Sequence, residues 1–594
     1  MPLTLQDEYK LKGNGYLLAF SPAIILLIPL LYPFFKQYFN TGFLTASYIA
    51  VGISFVFMIL YCSKFPWQYI KVTIIDLFLL IFAAYAFFNS WLQNKYFFSS
   101  DDALLLILAI GVYFVSKMAF QMDRNKTCMA LKVVIIVTVA IQIVICSLQI
   151  LKVIPSNSGL FPVTGIFLNP TILCTYLAIM FPILCYYVEE SRSAGLKIVL
   201  GLICILIILT EAVAHSRMAL FTSVVVSLVL LVNKFKSKRH SLALIVTTLL
   251  LSLSTFLALS KLNSTQGRFF IWKTSFSIYL SHPYQGIGFG SFKSYYNTQQ
   301  AEYFLRNSSI SKEYLLADEN YYAYNEFLTL MIEEGLIGVL LFVIYLWLFI
   351  RGIRKVSISN GFKNSVEKYV LTAIICAVIM GFVSYPLEEP SLFFIIFLLL
   401  GVVSSRIDNY TILSARHISP FVTIGFYTFS FIIMATRAIN VFKWYGLLNK
   451  EYITKSDLED YNKLRNRLSS NSIFLVNYAD NLVLWDEVKE AKQLLVQATA
   501  ILPSTGCFIR LARVNQLLGN SDEAEKALVT CSLIVPSRFR FKMNLLDFYE
   551  STNEIDKGRV IAETIMKTPI KIQSDNIDPI INKARNFLIN NPNK

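Results

Sequence analysis

Charge is what this chain has least of. Asp, Glu, Lys and Arg make up only 15% of it against 55% hydrophobic residues, a balance that excludes a soluble protein of ordinary composition and points to one embedded in lipid. Paired cysteines are missing as well: the nine present are scattered singly, most of them inside apolar runs, with no C-x-x-C. That excludes a disulfide framework or a cysteine metal site and leaves them as small core residues. A nucleotide loop is also lacking. Gly286, Gly288 and Gly290 are spaced G-x-G-x-G with no strand before them, whereas the dinucleotide signature needs G-x-G-x-x-G after a strand. They read as a tight, close-packed turn.

Apolar sequence is what remains. Runs able to cross ~30 Å of hydrocarbon, about 20 residues each, recur near 15–35, 42–62, 70–92, 102–121, 129–152, 171–188, 196–214, 217–233, 241–261, 334–350, 368–384, 390–405 and 418–438. The expectation is an all-α, polytopic membrane protein of about thirteen transmembrane helices over residues 1–438. The first run is followed by no small-residue cleavage site and reads as a retained helix. With a cytoplasmic N-terminus, basic clusters such as Arg124, Lys126 and Lys132, or Arg351, Arg354 and Lys355, fall on the cytoplasmic side, while the short loops opposite hold only Lys36, Lys95, Lys152 and Arg217. The net charge of +15 is therefore topological, and no nucleic-acid partner is expected.

Polar features gather on the outer face. Asn169-Pro170 forms a cap signal for the helix that follows, or a substrate contact. Glu211 and His215 are spaced to share a helical face at the membrane boundary; an acid there is either paired or faces a polar cavity. Arg217 opens a helix, a poor place for a cation unless an anion is present. Helices one to five, by contrast, carry few polar features and read as scaffold.

Residues 262–325 form a large outer loop in which Asn263-Ser264-Thr265-Gln266-Gly267 reads as a turn and 268–280 as an interfacial helix, with Phe269, Trp272, Phe276 and Tyr279 at helical spacing beside Lys273. Arg268 would then lie at headgroup depth. Two arginines on one face suit a phosphate or pyrophosphate, because guanidinium is planar, bidentate and always charged; snorkelling to ordinary lipid phosphates satisfies the same chemistry. His282-Pro283 reads as a helix terminator or a catalytic histidine.

Gly165 to Pro170, Ser216-Arg217, Gly267-Arg268 with Trp272, His282-Pro283 with the three spaced glycines, and Asn325-Glu326 followed by Glu334-Gly335 and Gly338 together resemble the O-antigen ligase and polymerase superfamily, which includes the bacterial protein O-oligosaccharyltransferases. The resemblance implies a GT-C-like glycosyltransferase of the bacterial inner membrane, with its site in the periplasm and no metal or nucleotide cofactor. Such enzymes take a glycan from a polyprenyl-pyrophosphate donor. It implies diphosphate contacts by Arg217 and Arg268; Asn169, Trp272, Lys273, His282 and Asn325 are expected around the substrates. Where the family has a histidine before the asparagine, this chain has Tyr324. A tyrosine with a pKa near ~10 is a poor base, unless the neighbouring arginines lower it. Glu211, His215, Asp318 and Glu319 are the alternatives, and electrostatic stabilisation of the leaving diphosphate is a third route.

Beyond residue 439 no spanning run remains. Pro503, Pro536 and Pro569 recur in step with Ala479 and Ala512 and with Leu495, Leu528 and Ile561, and Leu517 to Leu528 resembles a tetratricopeptide turn and second helix. Residues 439–594 are thus expected to be a periplasmic α-helical repeat domain that binds an acceptor protein, or a small cap with no ligand. The expected activity is oligosaccharide transfer to Ser or Thr of exported proteins, with transfer to lipid A core or O-antigen polymerisation as alternatives. A transporter or flippase would show internal repeats; none is visible.

Overall fold

The computed structural model describes residues 16–35, 42–64, 71–96, 100–234, 262–307, 310–358, 365–407, 411–414, 420–571 and 574–592. Nine helices come first: α1 Tyr16–Ile25, α2 Ile28–Phe35, α3 Gly42–Lys64, α4 Ile74–Gln93, α5 Asp101–Met122, α6 Arg124–Ile150, α7 Pro170–Glu190, α8 Ala194–Val213 and α9 Arg217–Lys234. Three shorter helices follow, α10 Leu262–Ser281, α11 Phe292–Arg306 and α12 Lys312–Leu316. The bundle resumes with α13 Glu326–Ile358, α14 Val366–Gly381, α15 Pro390–Ser404 and α16 Pro420–Leu448.

Among the described residues, 8 helices are long and apolar enough to cross a membrane, or up to 9 if α1 and α2, bent by 60°, count as one span. The runs expected near 217–233, 368–384 and 390–405 fold as the shorter helices α9, α14 and α15. The run near 241–261 lies outside the described residues. The chain is therefore a multi-pass membrane protein by its helices, with fewer full-length spans among those residues than the thirteen expected.

Burial follows position in the bundle. Helices α5, α7 and α15 bury most of their side chains; α15 packs along α5, and α14 along α7. Helices α8 and α13 keep many large apolar residues exposed, including Leu202, Ile205, Leu340 and Trp347, as expected of a lipid-facing surface.

One end is closed by a two-stranded antiparallel ribbon, β1 Lys71–Thr73 with β2 Thr411–Ser414, and by Arg124 on Glu367 at 2.7 Å. Helices α4 and α5, expected as apolar scaffold, are more polar there than expected. Lys117 and Asp76, both fully buried, form an ion pair, and the Tyr113 hydroxyl donates to Asp76 at 2.5 Å and lies 2.6 Å from the Ser404 hydroxyl, from which it accepts. Removing one partner of such a pair typically costs about 3–5 kcal/mol.

The opposite end carries α10 to α12 and the C-terminal part. Asn263 to Gly267, expected as a turn, form the opening of α10 instead. Small polar residues are tolerated in a first turn, where N–H groups lack intrahelical acceptors. Past α16 the chain folds as α17 Lys455–Arg465, α18 Ser472–Leu484, α19 Val488–Ile501, α20 Thr505–Leu517, α21 Ser521–Ile534, α22 Phe539–Ser551, α23 Ile555–Lys567 and α24 Ile577–Asn590. Asp486, Gly519 and Asn553 each take positive φ (63°, 73° and 59°) at the turn inside successive pairs α18/α19, α20/α21 and α22/α23. The same left-handed turn thus ends the first helix of each pair. Arg437 of α16 ties this part to the bundle, reaching Asp101 at 2.9 Å and the Arg467 carbonyl at 2.6 Å.

Candidate functional site

The site is built on a glycine interlock. Helix α13 breaks at Gly335, whose φ of 61° and ψ of −166° no helix allows. Into the break fits the turn after α10: Ile287 N donates to Ile332 O at 3.0 Å and Gly288 N to Glu333 O at 2.7 Å, while Leu336 N and Ile337 N return to Pro283 O and Tyr284 O at 2.9 and 3.1 Å. The backbone groups that the break leaves without helical partners are thus satisfied by the turn. Gly286, Gly288 and Gly290 all have positive φ. Lys293, on Asp102 at 2.9 Å, anchors the far side.

Beside this frame lies a cavity of about 540 Å³, whose wall includes Asn169, His215, Ser216, Arg217, Arg268, Trp272 and Ser384, with Phe161, Phe221 and Phe269. Asn169 accepts from Thr171 N at 2.8 Å as the cap of α7, Pro170 filling the first helical position. Its amide donates to the Tyr385 hydroxyl at 2.9 Å. Tyr385 packs edge-on against Tyr324, ring centroids 5.2 Å apart, and the Arg268 guanidinium carbon lies 5.5 Å from the Tyr324 ring centre. Burial depresses the Arg268 pKa; Tyr324 opposes the shift and the nearby Arg217 charge adds to it. Two like charges sharing a partly desolvated cavity are costly to each other, and an anion between them removes that cost. Arg217 also begins α9, whose first-turn N–H groups add positive potential on the same side.

Trp272 lines this wall and donates to the Ala323 carbonyl at 2.9 Å, holding the segment that carries Tyr324. Tyr324 itself is left-handed, with φ 52°, uncommon for an aromatic residue. Its hydroxyl does not become the easier acid that neighbouring arginines would make it. Burial raises its pKa, and Arg268 pulls the other way without cancelling that rise.

Of the other expected site residues only His215 reaches the cavity. Glu211 and His215 do not share a helical face, because α8 stops at Val213 and His215 turns out at φ 54°. Glu211 is fully buried and accepts from Ser223 at 3.0 Å; His215 is exposed in the cavity wall. Lys273 pairs with Glu313 at 3.0 Å and does not line the cavity. His282 packs on Tyr295 next to the glycine turn. Asn325 caps α13, accepting from Phe327 N and Leu328 N at 3.1 Å each. Glu319 bonds to the C-terminal helices, and Asp318 pairs with Arg538 at 3.3 Å.

Ser384 and Tyr385 went unnoticed in the sequence. Their signal is the Ser-Tyr-Pro break between two apolar runs. Among the described residues no group of three His, Cys, Asp or Glu is placed to hold a metal ion.

No curated protein matches the chain. A sequence model of the O-antigen ligase family does match residues 177–343, a stretch that contains Arg217, Arg268, the glycine turn and Tyr324, and this similarity supports glycan transfer of the O-antigen ligase and polymerase type in general.

Proposed function

We propose that the chain is a membrane oligosaccharyltransferase that moves a glycan en bloc from a polyprenyl-pyrophosphate donor to Ser or Thr of exported proteins. The observation that carries this reading is the meeting of Arg217 and Arg268, from separate helices, in one cavity at the end of the bundle. The donor diphosphate sits between the two guanidinium groups, its oxygens taking bidentate charge-assisted bonds. The acceptor hydroxyl attacks the anomeric carbon, the bond from that carbon to the diphosphate oxygen breaks, and the electron pair leaves with the diphosphate. Holding that developing charge is the main source of acceleration.

His215 takes the hydroxyl proton. Its ring lines the same cavity and has no side-chain partner among the described residues, whereas Tyr324, Glu319 and Asp318 are engaged as described above. In this reading the site end faces the periplasm of the bacterial inner membrane, because the basic clusters gather at the other end. The paired helices after α17 resemble tetratricopeptide repeats and receive the acceptor protein, which favours protein over lipid A core.

The test is to delete the protein from its host and compare exported proteins and lipopolysaccharide by mass spectrometry. Loss of sugar from Ser or Thr of exported proteins is expected. Loss confined to lipopolysaccharide would assign the lipid acceptor instead.

A further inference from the structure

The loop that carries Tyr324 is held by the C-terminal helices as well as by the bundle. The Glu319 carboxylate accepts from Thr505 Oγ1 at 2.6 Å and from Thr505 N at 3.3 Å. Thr505 is the first residue of α20, where N–H groups lack helical acceptors and an anion is electrostatically favoured. Next to it, the Asp318 carbonyl accepts from Gln300 Nε2 at 3.0 Å, and the same amide donates to Ile534 O at 2.6 Å. Ser294 of α11 donates to Ile501 O at 2.6 Å.

Apolar contacts follow the same seam. Ala301 of α11 sits in one buried cluster with Phe508, Ala512, Leu528 and Cys531. Leu533 packs against Phe270, Phe304, Tyr314 and Ala317. Helices α11, α20 and α21 and the 317–325 segment therefore form one packed body.

From Glu319 the chain runs without slack to the cavity. Asn320 N donates to Asn297 Oδ1 at 3.0 Å, the Tyr322 ring stacks on Tyr385 at 4.2 Å, the Ala323 carbonyl is bound by Trp272, and Tyr324 lies over Arg268. A shift at Glu319 has few places to be absorbed before it reaches the arginine.

We propose that the C-terminal helices are a working part of the reaction site: Glu319, clamped on the start of α20, is a positioning residue that fixes Tyr324 over Arg268, so that transfer to any acceptor depends on this contact, including one too short to touch the repeats. The inference rests on the glycan transfer proposed above. It gives the repeats a second task besides holding an acceptor, and an acceptor that displaces α20 would be felt at the arginine.

The test uses the full-length chain, membranes of the deletion host as source of its own lipid-linked donor, and a fluorescent peptide copied from an acceptor site found by the mass-spectrometric comparison. Removing the Tyr324 ring from Arg268 altogether would cost up to roughly 30-fold, so kcat with the peptide is expected to fall about 10- to 30-fold in Glu319→Ala with KM for the peptide unchanged. Thr505→Val should behave alike, the double variant should be no worse than either single one, and Glu319→Gln, which keeps an acceptor for the Thr505 hydroxyl, should recover most of the rate. Unfolding midpoints are read on the same preparations, and should Glu319→Ala not fold, Thr505→Val and Glu319→Gln decide. Wild-type kcat in Thr505→Val and Glu319→Ala, or a loss confined to KM of whole acceptor proteins, overturns the inference while leaving the glycan transfer standing. A wild-type chain that glycosylates no peptide overturns both.

Discussion

Gly286 and Gly335 meet backbone to backbone. A Cβ on Gly286 would come within 2.3 Å of the Glu333 carbonyl oxygen, and one on Gly335 within 2.4 Å of the Tyr284 carbonyl oxygen. Both residues also have positive φ, 74° and 61°. The spaced glycines and the Glu-Gly-Leu-Ile-Gly run far downstream are thus two halves of one joint, seated at the break inside α13.

Gly286→Ala should therefore fail at the level of folding and not of chemistry. Forced repacking costs roughly 1–3 kcal/mol, and a left-handed non-glycine residue adds about 1–2 kcal/mol. The expected outcome, read by thermal unfolding in detergent, is a lower midpoint than wild type. Gly159→Ala, with open space around its Cβ and no positive φ, should be neutral in the same assay.

Tyr324 separates ring from hydroxyl. With its pKa raised by burial, the hydroxyl is not the base, so Tyr324→Phe should keep most of the transfer rate. Tyr324→Ala removes the ring beside Arg268, a contact worth about 0.5–2 kcal/mol, and should lose up to roughly 30-fold. Equal losses in both variants would return the hydroxyl to the chemistry.

His215→Gln should lower kcat by about 100-fold or more, the usual contribution of a general base. Added imidazole should restore part of the rate to His215→Ala. Steady-state transfer to the peptide acceptor with and without imidazole checks this, and a wild-type rate in His215→Gln would remove the assignment.

Lys542 makes the C-terminal part sensitive to pH. It is almost fully buried, its ammonium 5.4 Å from the Tyr314 ring centre and 5.8 Å from that of Phe539, and burial lowers its pKa from 10.5 to about 8. Between those two values the unfolded chain holds a proton that the folded chain has released, so stability rises with pH across the window and is lowest below about 8. The unfolding midpoint of the full-length chain should climb between about pH 8 and pH 10, and Lys542→Met should flatten that climb.

What could be read from sequence follows from the range of each interaction. Apolar runs long enough to span lipid mark helices by composition alone, and Asn169-Pro170 announces its cap because capping is local. The Glu211 and His215 pairing fails because helical spacing assumes a helix that continues, whereas α8 ends between them. Asp76 and Lys117 escape notice because one charge in an apolar window looks like noise until its partner from another helix is seen. Glu319 looks catalytic by its place in a polar loop, and only its bond to Thr505 reveals another use. Nor does any local pattern connect Asn169 to Tyr385.

The central claim is that Arg217 and Arg268 clamp one lipid diphosphate. Arg217→Ala, Arg268→Ala and the two lysine variants, purified and supplied with deletion-host membranes and the peptide acceptor, measure it most directly. Losing one preorganised donor to a developing oxyanion costs about 100- to 1,000-fold, so each alanine variant should lose at least that much transfer while remaining folded in the membrane, and the lysines should recover little because the bidentate geometry is gone. Transfer at the wild-type rate by either alanine variant would contradict the account.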